Sequence, residues 1–268
     1  MLYIFFIICA ILIFILLKNK RVKLTVLITS CIIVIMLISF PLPQLFMTSD
    51  HKQAAVEDVQ LDNVQVVKLR EQVSIDVPLI EQLPELPRGC EVTSLAMLLE
   101  SANLPVDKMQ LAKEIRRNPA KQVIKNGQIH FGDPNNGFVG DMYSFQTPGL
   151  GVYHEPIIEL AEKYLPGKIV NLSNRPFNEL KIPLSDGRPV WVIINTHYEK
   201  LADDYFQTWY TESGPIQITR KQHSVLITGY DEQYIYFNDP LNRESKAPIN
   251  DFEQSWVQMG SHAITYTN

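Results

Sequence analysis

An α+β domain behind a membrane hairpin is the fold class that three features of this sequence predict. Helical periodicity is confined to the middle of the chain, strand-like runs gather in its last third, and two purely apolar segments stand apart at the N-terminus. The 268 residues carry 24 Lys plus Arg against 29 Asp plus Glu, with 46% apolar residues, which suits a folded chain. Residues 1–47 hold no acidic residue and four basic ones, Lys18, Lys20, Arg21 and Lys23, so the remaining 20 basic and 29 acidic groups leave a net charge of −9. Nucleic acid is excluded as the main partner, because phosphate backbones call for clustered cations and a basic domain.

Leu2–Leu17 and Leu24–Phe40 are uncharged, and only the basic turn around Lys18–Lys23 separates them. At 1.5 Å per residue each spans about 25 Å, and Val22, Leu42 and Leu45 extend the second toward the ~30 Å hydrocarbon core. Two transmembrane helices, about 2–17 and 22–40, are expected within residues 1–47. The basic turn belongs on the cytoplasmic side, which puts everything after Met47 outside the cell. A cleaved signal is the rival reading, but Ser39-Phe-Pro-Leu-Pro43 offers no small-x-small cleavage pattern. Residues 48–73 read as a polar linker and 74–268 as the folded domain.

Cys9 and Cys31 fall in the apolar segments, so the outer domain holds one cysteine, Cys90, and no disulfide partner is expected for it. A lone thiol in an oxidising compartment is either a small buried residue or a nucleophile. Ser74–Ile80 reads as a short strand, followed by a Pro-punctuated loop, Leu83–Pro87. Val92, Leu95, Ala96 and Leu99 then mark one face of a helix from Cys90 to about Ala102. Asp107 caps a second helix to about Arg117, and a third runs from Pro156 to Leu165 before Pro166-Gly167. Asn118–Tyr153, rich in Gly, Asn and Pro, reads as a long irregular loop. Strands are expected at Pro189–Asn195, Ser224–Gly229, Tyr234–Asn238 and His262–Tyr266.

The chemistry comes from the hairpin between two of these strands. Centring its turn on Asp231 opposes His223 to Asp239, with Cβ atoms about 4.5–5.5 Å apart, within reach of a carboxylate–imidazole hydrogen bond. Asn238 is a rival orienting residue but belongs to the other face of its strand. Cys90 opens a helix, where the dipole and unpaired N–H groups favour an anion. Together these supply a nucleophile, a base and an orienting acid. The Cys90 N–H and a side-chain amide upstream, nearest Gln82, would hold the oxyanion. Glu91 reads as a first-turn acid, and Trp191, Trp209 and Trp256 as packing residues. His130, Asp133 and His154 lie in or beside the long loop, but with no His-Glu-x-x-His helix and no paired cysteines neither a metal nor a cofactor is expected.

The order Gln, Cys opening a helix, His, then Asp-Pro after the next strand resembles the papain-like cysteine peptidases of clan CA. The stretch Gly89-Cys-Glu-Val-Thr-Ser-Leu-Ala-Met97 is similar to the stand-alone bacterial members of family thirty-nine, the bacteriocin-processing peptidases. Gly137-Phe-Val-Gly140 and Pro148–Tyr153 extend the likeness. The resemblance implies a papain-like fold with N-terminal helices and a C-terminal antiparallel sheet. It implies acyl transfer to water with Cys90 as nucleophile, His223 as base and Asp239 as orienting acid. Glu91 stands where the bacteriocin-processing enzymes have Gly. The chain also lacks the Gly-x-x-x-x-Gly-Lys-Ser/Thr loop of the transporter-linked members, so cleavage of a double-glycine leader is not implied. The substrate expected is a peptide or cell-envelope amide. A non-catalytic peptide or wall-binding module on the same fold, and an amidase or transacylase on the same triad, are the alternatives.

Overall fold

The computed structural model describes residues 69–267. The expected membrane hairpin and most of the linker lie outside them, and no described helix is long and apolar enough to cross a membrane. In chain order the elements are β1 (Val73–Ser74), α1 (Cys90–Ser101), α2 (Lys108–Glu114), β2 (Arg117–Asn118), β3 (Val123–Lys125), β4 (Gln128–His130), β5 (Phe138–Val139), α3 (His154–Glu162), β6 (Ile169–Asn171), α4 (Lys181–Ser185), β7 (Val190–Asn195), β8 (Phe206–Thr211), β9 (Gly214–Thr219), β10 (Gln222–Tyr230), β11 (Tyr234–Asn238), β12 (Lys246–Pro248), α5 (Ile249–Gln258) and β13 (Ala263–Tyr266).

The main sheet runs β12-β11-β10-β7-β13-β6, all antiparallel, with β1 added beside the far end of β10. Both its faces are covered. On one side Trp191, Ile193, Leu226 and Ile264 pack with α1, α2 and α3; on the other Val190, Val192, Ile194, Val225 and Ile227 pack with α4 and α5. Residues of β7 therefore alternate between two cores, and Val-Trp-Val-Ile-Ile reads as an unbroken apolar run rather than a polar–apolar alternation. A smaller sheet, β3-β4-β8-β9, closes over Phe131, Val139, Trp209 and Ile218.

Helix α1 starts at Cys90 as its periodicity predicts, but its first ten residues are all buried, not only the face of Val92, Leu95, Ala96 and Leu99. Such a helix sits inside the domain, and its polar side chains must be satisfied there. Thr93 Oγ1 donates to Gly89 O at 2.8 Å and Ser94 Oγ to Ser224 O at 3.1 Å. Asp107 caps α2 by accepting from Met109 N and Gln110 N. The three tryptophans are fully buried, as their reading as packing residues predicts.

Several expectations need correction. The strand expected at Ser74–Ile80 is only Val73–Ser74 long, continued by a single bond from Ile75 N to Thr228 O. The domain reaches back into the expected linker, where Val73 is buried and Tyr230 Oη donates to Arg70 O at 2.7 Å. The expected loop 118–153 contains β3, β4 and β5, because β4 finds a partner in β8 far along the chain. Helix α5 escaped the reading because only Phe252 and Trp256, one turn apart, with Ser255, face the core. The β10–β11 turn spans Asp231–Tyr234, not Tyr230–Glu232. Asp231 Oδ1 accepts from Gln233 N and Tyr234 N, so the register differs from the one expected.

Candidate active site

Cys90, His223 and Gln82 line one cleft, formed where the start of α1, the start of β10 and the loop after β11 converge. His223 and Asp239 are both buried, and His223 Nε2 lies 2.6 Å from Asp239 Oδ1. A proton on Nε2, directed at the carboxylate, would leave Nδ1 as the lone pair for a thiol.

Asp239 is held by more than the histidine. Oδ1 also accepts from Leu241 N at 2.8 Å, and Oδ2 accepts from Tyr198 Oη at 2.7 Å and from Arg243 N at 3.4 Å. Burial alone would raise its carboxyl. The hydrogen bond and charge of His223, with the Tyr198 and Leu241 bonds, outweigh it and bring the pKa down to about 2. Asp239 is thus a fixed anion. Asn238 turns away and donates to Val77 O at 2.8 Å, as its place on the opposite face of β11 predicts.

Tyr198 belongs to no motif that singles it out. It sits at φ 58 in the left-handed region, buried, with its ring stacked on Phe237 at 5.3 Å. A non-glycine residue there is strained by about 1 kcal/mol or more, and the bond to Asp239 and the stacking hold it in place. Its only sequence signal is the turn after β7, where Asn195 Oδ1 accepts from His197 N.

Glu91 is the first-turn acid of α1 as expected, and it is a buried carboxylate, its pKa raised by burial against the pull of its hydrogen bonds. Oε1 accepts from Val152 N at 3.1 Å and Gln222 Nε2 at 2.9 Å, which joins α1 to the loop before α3 and to β10. Gly151 permits this close approach, since a Cβ there would stand 2.1 Å from Glu91 Oε1. The Cys90 thiol donates to Glu91 Oε2 at 3.3 Å. Burial, then the Glu91 charge, push the thiol well above its ordinary value, while a backbone hydrogen bond from Ser224 works the other way. The helix terminus was expected to favour the thiolate; in the resting geometry desolvation and the adjacent acid win.

Gln82 is buried in the cleft that also holds Cys90, its backbone N–H donating to Pro240 O at 2.9 Å. Its Nε2 donates to Leu86 O and Pro87 O at 3.0 Å each, and its Oε1 is buried without a partner. Two acceptors facing Nε2 fix the amide's orientation, and neither of its N–H bonds is free in this conformation.

No group of three or more potential metal ligands occurs among the described residues. His154 pairs with His262, Nδ1 to Nδ1 at 2.7 Å. His130 stacks on Tyr210, and Asp133 Oδ1 accepts from Asn135 N.

Residues 74–264 match the model of the Peptidase_C39 like family. The chain belongs to the Peptidase_C39 like family. This C39-like domain is 44% identical over 193 residues to the uncharacterized protein YvpB of Bacillus subtilis (strain 168), covering 71% of this chain and 74% of that one. It also superposes with a TM-score of 0.68 on the crystal structure of a candidate C39-like peptidase from Bacillus anthracis. That match has 46% identity and covers 74% of this chain and 98% of the other. The family and the mixed α and β architecture are those the residues around Cys90 predicted.

Proposed function

We propose that the C39-like domain is a cysteine peptidase working through Cys90, His223 and Asp239, anchored by residues 1–47 with the domain outside the cell. The observation that carries the reading is the 2.6 Å bond between His223 and Asp239 in the cleft that holds Cys90. With Nε2–H engaged by a fixed anion, His223 Nδ1 is the base, and because the thiol is protonated at rest, deprotonation accompanies attack. The Sγ–H proton passes to Nδ1 as sulfur bonds the amide carbon. The resulting imidazolium, stabilised by Asp239, then protonates the leaving amine as the C–N bond breaks. Water, deprotonated by the same histidine, hydrolyses the acyl enzyme. The Cys90 N–H, unpaired at the helix start, is one oxyanion donor, and Gln82 becomes the second when its amide turns from Pro87 O.

The test uses the full chain in mild detergent. Iodoacetamide labelling of Cys90 at pH 7.5 is expected to slow at least tenfold in His223→Ala, and peptide cleavage to vanish in Cys90→Ser. Equal labelling in both proteins would overturn the reading. The anchoring is tested by adding external protease to intact cells, which should digest the domain; full protection would place it inside. A non-catalytic binding module is the second reading, favoured by the Cys90 bond to Glu91. It predicts slow labelling that is indifferent to His223.

A further inference from the structure

Residues 48–268 carry a net charge of −9, yet the cleft around Cys90 is lined by four cations, Arg88, Arg220, Lys221 and Arg243, and by no carboxylate. None of the four forms an ion pair with a carboxylate among the described residues. They come from three separate places in the chain: the loop before α1, the β9–β10 turn and the loop after β11. Arg88 is fastened, its guanidinium donating to Asp141 O at 3.0 Å and to Ser144 O and lying 4.8 Å from the Phe145 ring centre. Arg220 and Arg243 are solvent-exposed. Burial first, then repulsion by Arg220, lower the Arg88 pKa against the opposing pull of the Asp141 carboxylate. Bringing unpaired like charges together costs free energy, and in an acidic domain such a cluster focuses the field on one opening. Phe145 at the mouth is mostly exposed and adds an apolar platform.

We infer that this cleft selects peptides with a carboxylate close to the scissile amide. The inference rests on the hydrolase reading for the word scissile, but carboxylate recognition itself does not depend on turnover. Acidic side chains and a free C-terminal carboxylate share this chemistry. Arg forks suit it better than Lys point charges, and three of the four cations are Arg.

The experiment uses the full-length Cys90→Ala protein in detergent and fluorescein-labelled hexapeptides, amidated and identical except for a central Glu, Gln or Lys. A Gln peptide with a free C-terminus separates the two carboxylate sources. By fluorescence anisotropy at low salt, the Glu peptide or the free-acid peptide is expected to bind roughly tenfold tighter than the amidated Gln peptide. The preference should shrink at about 0.5 M salt and be lost in an Arg220→Gln/Arg243→Gln variant, whose exposed positions leave packing intact. Equal binding of all the peptides, or tighter binding of the Lys peptide, overturns the inference. Cleavage by the unsubstituted protein is read separately. Acid-selective binding without Cys90-dependent cleavage would keep the carboxylate site and remove the peptidase, whereas cleavage indifferent to charge would keep the peptidase and remove the carboxylate site.

Discussion

His223 and Asp239 are hydrogen-bonded at 2.6 Å although they are not opposed in the β10–β11 ladder. Next to the turn Tyr230 opposes Ile235 and Gly229 opposes Tyr236. Beyond a bulge at Thr228 the partners are Ile227 with Phe237 and Leu226 with Asn238. Continued one step, the second register brings Asp239 level with Val225, so His223 lies two residues along on the same face. Without the bulge Asp239 would oppose Leu226, and His223 would face the other way. Gly229 belongs to this device, since a Cβ there would stand 2.1 Å from Val73 O, where β1 crosses the bulge.

Deleting Thr228 should therefore uncouple the dyad without removing either partner. The expected result is loss of the His223-dependent part of Cys90 labelling in a protein whose circular dichroism remains that of a folded α+β domain. Retained His223-dependent labelling would show that the loop after β11 carries Asp239 to the ring whatever the register.

Asp239→Asn keeps the shape but removes the anion and the preferred histidine tautomer, and should lower peptide turnover roughly 10²-fold or more. The sign of its pH effect follows from a folded value of about 2 against an ordinary 3.8. The stabilisation is complete above about pH 4 and is lost as pH falls toward 2. Urea denaturation between pH 5 and pH 2.5 should thus fall off less steeply in the Asn variant. Tyr198→Phe removes one charge-assisted bond and should cost about 1–2 kcal/mol at pH 7 in the same measurement.

Glu91→Gln should make Cys90 more reactive. The carboxylate raises the thiol pKa through its charge, so neutralising it moves the labelling midpoint downward and speeds alkylation at pH 7.5. An amide can still accept from Val152 N and Gln222 Nε2, so the cleft walls keep their tie. A midpoint that stays put would mean desolvation alone sets the thiol.

The buried pair His154 and His262 makes a different prediction. Burial, then the neighbouring His154, depress the His262 pKa to about 3 from an ordinary 6.5, so the folded domain refuses a proton that the unfolded chain accepts. Stability is unaffected above about pH 6.5 and falls as pH drops from there toward 3. Between pH 7.5 and pH 5 the cost is about 2 kcal/mol from this group. Glu91, with a raised pKa, works in the opposite direction. The comparison with His262→Asn, which should lose about that much less over the same interval, isolates the histidine. Identical losses would sink the assignment. Asp239 does not interfere, since its own loss begins below pH 4.

Local pattern and chemistry in the sequence determined a good deal. Apolar spacing at Val92, Leu95, Ala96 and Leu99 starts α1 at Cys90, and turn residues and β-branched runs mark β7, β10, β11 and β13. The motif around Cys90 identifies the family. These signals are periodicities and short-range identities, carried by neighbours in the chain. Tertiary structure alone decided which face Asp239 occupies, because a one-residue bulge reverses every side chain beyond it and leaves no mark in the hydropathy of Ile227-Thr-Gly-Tyr230. It decided that Glu91 is buried against the thiol, since a first-turn acid reads the same whether water or Val152 covers it. It also brought Tyr198 to Asp239 and four cations from distant loops to one opening, because loop closure and packing, not local sequence, set which loops meet.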